Sequence, residues 1–236
     1  LLADLLKKER SANPMPAVVQ CLTALVDGFD VASAQEMSIA LDTPMPADRI
    51  SFAGPGKRTA ELAQALAAGV VIHLESAREM RDLASLAQAE GAKPKVAIRV
   101  NPNFELRGSG MRMGGGAQQF GVDAEAVPQM LHELATLPLE FAGFHIFAGS
   151  QNLSVEFHQQ AQARLIDLAI ELTRHAPSPV KYLNIGGGFS GGFCSLDDLV
   201  EGTARHGGTL VAGVRALSRP SSSPHSLRCR GSPRSR

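Results

Sequence analysis

Three consecutive glycines, Gly186, Gly187 and Gly188, close the apolar run Tyr182-Leu183-Asn184-Ile185. About one β/α repeat earlier, His145-Ile146-Phe147-Ala148-Gly149-Ser150-Gln151 ends in the same manner. Each segment reads as a strand running into a bare loop of small residues. Glycine at such a junction lets backbone N–H groups turn outward and lets a ligand approach closely. Ser150 adds a hydroxyl beside Gly149. Together the two junctions read as the halves of a cup for one phosphate group, whereas a glycine triplet alone would be no more than a tight turn.

Other chemistry-bearing groups sit inside strand-like runs. Arg99 lies within Val96-Ala97-Ile98-Arg99-Val100 and Asp30 within Phe29-Asp30-Val31. A charge in an apolar strand is costly unless it is paired or bound to a ligand, and both readings stay open for these two residues. His145 and Phe147 are two apart, which puts them on one face of a strand. His145 alone would be a satisfied core histidine, and His73 and His158 read as ordinary core or solvated ones. Glu36 reads as the third helical residue of a capping box rather than a catalyst. The loop Gly108–Gly116 follows the strand bearing Arg99 and is read either as a flexible surface loop or as a substrate gate.

The elements that must position these groups alternate along the chain. Strand-like runs cover Gly28–Ser33, Arg49–Gly54, Val70–Ser76, Lys95–Asn101, Phe141–Gly149 and Tyr182–Gly188, each short and bounded by turn residues. Between them, Val127, Met130, Leu131 and Leu134 recur at helical spacing, and Phe157, Ala161, Leu165 and Leu168 keep one face similarly. Ser33 with Glu36, and Ser76 with Glu79, read as capping boxes opening helices directly after strands. That βαβ rhythm demands a parallel sheet. The fold class expected is α/β, and the run of six readable strands favours an incomplete (β/α)8 barrel over a doubly wound sheet.

A chain of 236 residues that is 44% hydrophobic can bury one sizeable core. With 23 basic and 23 acidic residues, charge gives no reason to expect nucleic acid or membrane as a partner. No apolar run approaches the roughly 18 residues of a membrane span. Cys21, Cys194 and Cys229 are few, scattered and odd in number, which suits a reduced, cytoplasmic setting. From Arg205 onward there are seven arginines and no Asp, Glu or Lys, and Arg219–Arg236 has no periodicity. Residues 190–236 are therefore expected to be a disordered tail.

The ordered set Ala12-Asn13-Pro14, Phe29–Ser33, Gly54-Pro55-Gly56-Lys57, Arg99-Val100-Asn101-Pro102, Phe120-Gly121, Gly143–Gln151 and Gly186–Phe189 resembles the fold-type III pyridoxal 5'-phosphate (PLP) decarboxylases. That family acts on diaminopimelate, ornithine and arginine. The resemblance runs from about Ala12 to Phe189. It implies a PLP-binding barrel at 12–189, in which Ser150, Gly186, Gly187 and Gly188 hold the cofactor phosphate. It also implies that Phe147 stacks on the ring, with Asp30, Arg99 and His145 lining the site. Phe147 stands where diaminopimelate decarboxylases usually have a second histidine. In this it looks like the exosortase-associated branch and like decarboxylases of carrier-bound amino acids.

Some positions depart from the family pattern. The family's Schiff-base lysine immediately precedes Ala-Asn-Pro, and here that position is Ser11, whose hydroxyl cannot take over the amine's role. Residues 1–11 read as an altered helical segment rather than the family's first strand. Nothing after Phe189 resembles the family's β-domain, which contributes to homodimeric active sites. No catalytic residue is assigned, and impaired decarboxylation is expected. Two alternatives carry less: a non-catalytic PLP-binding or inert fragment, and an alanine racemase-like barrel, which would share the phosphate cup but lack the 145–151 and 99–102 patterns.

Overall fold

The computed structural model describes residues 16–23, 26–104, 111–112, 119–147, 149–150 and 155–186. After helix α1 (Pro16–Leu22), strands and helices alternate: β1 (Phe29–Val31), α2 (Ala34–Leu41), β2 (Ile50–Phe52), α3 (Thr59–Ala68), β3 (Val71–Leu74), α4 (Ala77–Glu90) and β4 (Lys95–Asn101). Two short strands, β5 (Met111–Arg112) and β6 (Val122–Asp123), come next. They are followed by α5 (Val127–Leu134), β7 (Glu140–Ile146), β8 (Gly149–Ser150), α6 (Val155–Thr173) and β9 (Tyr182–Asn184).

The main sheet has the order β1-β2-β3-β4-β7-β9, with β6 pairing the end of β4, and every ladder in it is parallel. The order never reverses along the chain. A doubly wound sheet reverses at a switch point, so this is the progression of a curled, partial (β/α)8 barrel. The incomplete-barrel expectation holds.

Two-residue alternation along each strand separates two environments. Ile72 and Leu74 of β3, Val96, Ile98 and Val100 of β4, and Phe144 and Ile146 of β7 are all buried. They join one apolar core with Met80, Leu83 and Ala87 of α4, Leu131 and Leu134 of α5, and Leu165, Leu168 and Leu172 of α6. Burial of a side chain such as Phe144 contributes roughly 1.5–3 kcal/mol. The residues in between, His73, Arg99, His145, Tyr182 and Asn184, are polar and share the opposite, inner face.

Helix starts follow the capping signals, with one difference. Ser33 Oγ accepts the Glu36 N–H at 3.2 Å and Ser76 Oγ accepts the Glu79 N–H at 3.1 Å. The glutamates reach back one residue beyond the cap, to the N–H groups of Ala32 and Glu75. Helix α4 ends at Gly91 with φ 62°, the left-handed conformation that favours glycine. Strand β4 matches its sequence run, Lys95–Asn101, whereas β1 and β3 are shorter than theirs because pairing stops where the chain turns into the Ser33 and Ser76 caps. The run Phe141–Gly149 is split: β7 ends at Ile146, and Gly149–Ser150 leave the main sheet to pair antiparallel with Met111–Arg112. Residues 1–11 and 190–236 lie outside the described residues.

Candidate functional site

Curling of the sheet brings its two ends together through side chains. Asp30 of β1 accepts a hydrogen bond from Ser51 Oγ of β2 and, at 2.7 Å, from Asn184 Nδ2 of β9. The same amide group donates to the Tyr182 hydroxyl oxygen at 3.2 Å, while Asn184 Oδ1 accepts the Gly186 N–H at 2.8 Å. All three bonds come from one side chain at the carboxyl end of the last described strand.

The polar chain continues inward. Tyr182 Oη lies 3.0 Å from His73 Nε2, and His73 Nδ1 lies 3.0 Å from His145 Nδ1, with the two imidazole rings tilted at 4.7 Å. Both histidines are buried. Burial, then the Asp30 charge, push the Tyr182 phenol well above its usual range. Tyr182 can occupy this space because its neighbour across the ladder is Gly143, at a bulge where the β4–β7 register shifts. A Cβ on Gly143 would run into the Tyr182 carbonyl oxygen.

A second group holds the ends of β2, β3 and β4. Glu75 accepts the Gly54 N–H at 2.6 Å, the Gly121 N–H at 3.2 Å and Arg99 Nη1 at 3.0 Å. The Arg99 guanidinium also lies 4.8 Å from the centre of the Phe120 ring. Of the two readings open for Arg99, the structure supplies the ion pair. Register places Arg99, His145 and Asn184 side by side on neighbouring strands, so this pair flanks the Asp30 network.

Beyond that row lie Phe147 and Gly186. Gly186 has φ 74°, and a Cβ there would collide with the Phe147 ring. The Phe147 ring and the first residue of the glycine triplet therefore meet directly at the strand ends. Ser150 lies in β8, paired with Met111. That pairing ties Met111 and Arg112 to the serine junction. Ser11, Gly187 and Gly188 lie outside the described residues.

Lys57 is anchored on the other side of β3. Its ammonium reaches the Gly54 carbonyl at 2.8 Å, the His73 carbonyl at 2.7 Å and Glu79 Oε1 at 2.6 Å, which uses its three donors. Burial holds the Glu79 carboxyl above its usual range even against the Lys57 charge. Among the described residues there is no cluster of side chains that could hold a metal ion, and no helix is long and apolar enough to cross a membrane.

Asp30, Arg99, His145, Phe147 and Gly186, all expected from sequence, thus share one inner face. Ser51, His73, Glu75, Tyr182 and Asn184 were missed. The spacing of His73 and Glu75, and of Tyr182, Asn184 and Gly186, is the two-residue period that would have exposed them.

A family model for the pyridoxal-binding domain of pyridoxal-dependent decarboxylases matches residues 10–201. Among curated proteins, the chain is 32% identical over 164 residues to L-glutamyl-[BtrI acyl-carrier protein] decarboxylase of Niallia circulans, covering 69% of this chain and 38% of that one. It is 33% identical over 184 residues to diaminopimelate decarboxylase of Aquifex aeolicus, covering 75% and 43%. Among solved structures, diaminopimelate decarboxylase of Helicobacter pylori complexed with L-lysine superposes with TM-score 0.73 at 26% identity, covering 86% of this chain and 57% of that one. The chain spans less than half the length of these curated relatives.

Proposed function

The chain belongs to the pyridoxal-dependent decarboxylase family, and on that premise we propose that it supplies the PLP-binding barrel, residues 12–189, of an amino-acid decarboxylase, a carbon–carbon lyase. The observation that carries this reading is the meeting of Phe147 with left-handed Gly186 at the ends of β7 and β9. An aromatic ring beside side-chain-free backbone suits a flat ring carrying a phosphate. In this reading Gly186, Gly187, Gly188 and Ser150 bind the phosphate, and Phe147 stacks on the ring. Asp30, Arg99 and His145 line the floor, where Glu75 holds Arg99 and Asn184 holds Asp30. PLP, when bound, supplies the electron sink for the carbanion left by loss of CO2. The protein's part is orientation and exclusion of water. The substrate class is an amino acid, free as for diaminopimelate decarboxylase or carrier-bound as for the Niallia circulans relative.

Ser11, at the position of the family's cofactor-linking lysine, favours a second reading in which this chain binds PLP non-covalently and decarboxylates little. Lys57 does not replace that lysine, since its three donors are engaged by Gly54, His73 and Glu79. The test is PLP titration followed by borohydride reduction and peptide mass spectrometry. Saturable binding without a lysine adduct is expected for the wild-type chain, and S11K should gain an adduct at residue 11. Absence of saturable PLP binding would overturn the PLP-barrel reading, and an adduct on any wild-type lysine would overturn the non-covalent one.

A further inference from the structure

We propose that Asn184 is a positioning residue that sets the phosphate end of the site by locking Gly186 to Asp30, an inference that rests on the PLP-site reading above. Its carboxamide is in contact with both. Oδ1 accepts the Gly186 N–H at 2.8 Å, and Nδ2 donates to Asp30 Oδ2 at 2.7 Å and to Tyr182 Oη at 3.2 Å.

Chemistry fixes which way the amide faces. The Gly186 N–H can only donate, so it must meet the oxygen; the ionised Asp30 can only accept, so it must meet the nitrogen. A flipped amide would oppose donor to donor and acceptor to acceptor at once. The side chain is therefore held in one orientation from two sides, and through it the left-handed turn at Gly186, φ 74°, is registered against β1 on the far side of the barrel. Without that bond, the Gly186 N–H and the turn it opens lose their link to the interior.

The consequence is selective. Asn184 acts through the phosphate loop, so its loss should weaken ligands that carry a phosphate far more than the same ring without one. A merely structural side chain would affect both alike.

The experiment measures equilibrium binding of PLP and of unphosphorylated pyridoxal to the full chain and its variants. N184A is expected to bind PLP about tenfold more weakly, the size expected for one lost hydrogen bond, and pyridoxal within about twofold of wild type. Equal losses for both ligands, or none for PLP, would overturn the inference. D30A, which cuts the same link from its other end and leaves Asn184 facing the Gly186 N–H, covers the case in which N184A does not fold. A loss of PLP affinity in D30A that pyridoxal does not share supports the assignment, and equal losses or none count against it. A wild-type chain with no preference for PLP over pyridoxal would instead bring down the PLP-site reading itself.

Discussion

Glu75 shows how one buried carboxylate can meet the charge of a neighbouring strand. It lies beside Arg99, whose charge in an apolar strand was legible in the sequence as needing a partner; which partner was not, because a strand's charge can be met from either neighbouring strand or from a ligand. The structure answers with a buried carboxylate that also takes the N–H groups of Gly54 and Gly121. Truncation in E75A leaves a buried guanidinium and two backbone donors without that acceptor. A loss of about 3–5 kcal/mol is expected, the usual cost of breaking a buried pair from one side, read as a lowered denaturant midpoint at unchanged slope. A loss below about 1 kcal/mol would mean that solvent already serves Arg99. His73 illustrates the opposite limit of sequence reading. Taken singly it looked like an ordinary core histidine, and so it is buried, yet its two ring nitrogens link Tyr182 to His145. Only knowledge of which strands are neighbours turns that burial into a connection.

At the scale of elements, strand and helix positions were largely legible because apolar period and cap agree where β1 passes into α2 and β3 into α4. Ser76, Glu79 and Gly91 bracket α4 as their types require. What escaped was pairing. Nothing local marks Gly149–Ser150 as departing from the sheet toward Met111–Arg112, since a two-residue ladder has no periodicity to read. Nor does Gly143 look different from any glycine in a strand, although it is where the β4–β7 register shifts and where the Tyr182 backbone of β9 leaves no room for a Cβ. Its replacement by alanine would press a methyl group into the backbone of Tyr182 rather than into a yielding side chain. G143A should therefore separate β9 from β7 and cost at least about 3 kcal/mol, the range of severe steric insertions. Hydrogen exchange would show it as lost protection through 182–184. Retained protection there would mean that the bulge can absorb the methyl group.

For the molecule as a whole, the informative feature is that, among the described residues, the first and last strands of the parallel ladder are joined through the interior by Asp30 and Asn184 rather than by backbone pairing. Apolar strands dictate a sheet with covered faces, but closing its curvature around polar side chains is a property of the assembled barrel. Tyr182 sits in that closure and is the chain's sole tyrosine, with no tryptophan present, so tyrosinate absorbance reports on this one site. Burial and the nearby Asp30 carboxylate both disfavour its ionised form and raise its pKa in the folded state above the unfolded value of about 10. The folded state then holds this proton more tightly than the unfolded chain does, so this group leaves stability unchanged below about pH 10. Stability falls as pH rises beyond it. Tyrosinate absorbance should accordingly stay absent at pH 10, where a free phenol is half ionised, and rise steeply together with loss of the far-ultraviolet helical signal. D30N removes one of the two causes and should shift the onset of ionisation to lower pH. A smooth titration centred near pH 10 with the helical signal intact would place Tyr182 in contact with water and refute an interior closed by its network.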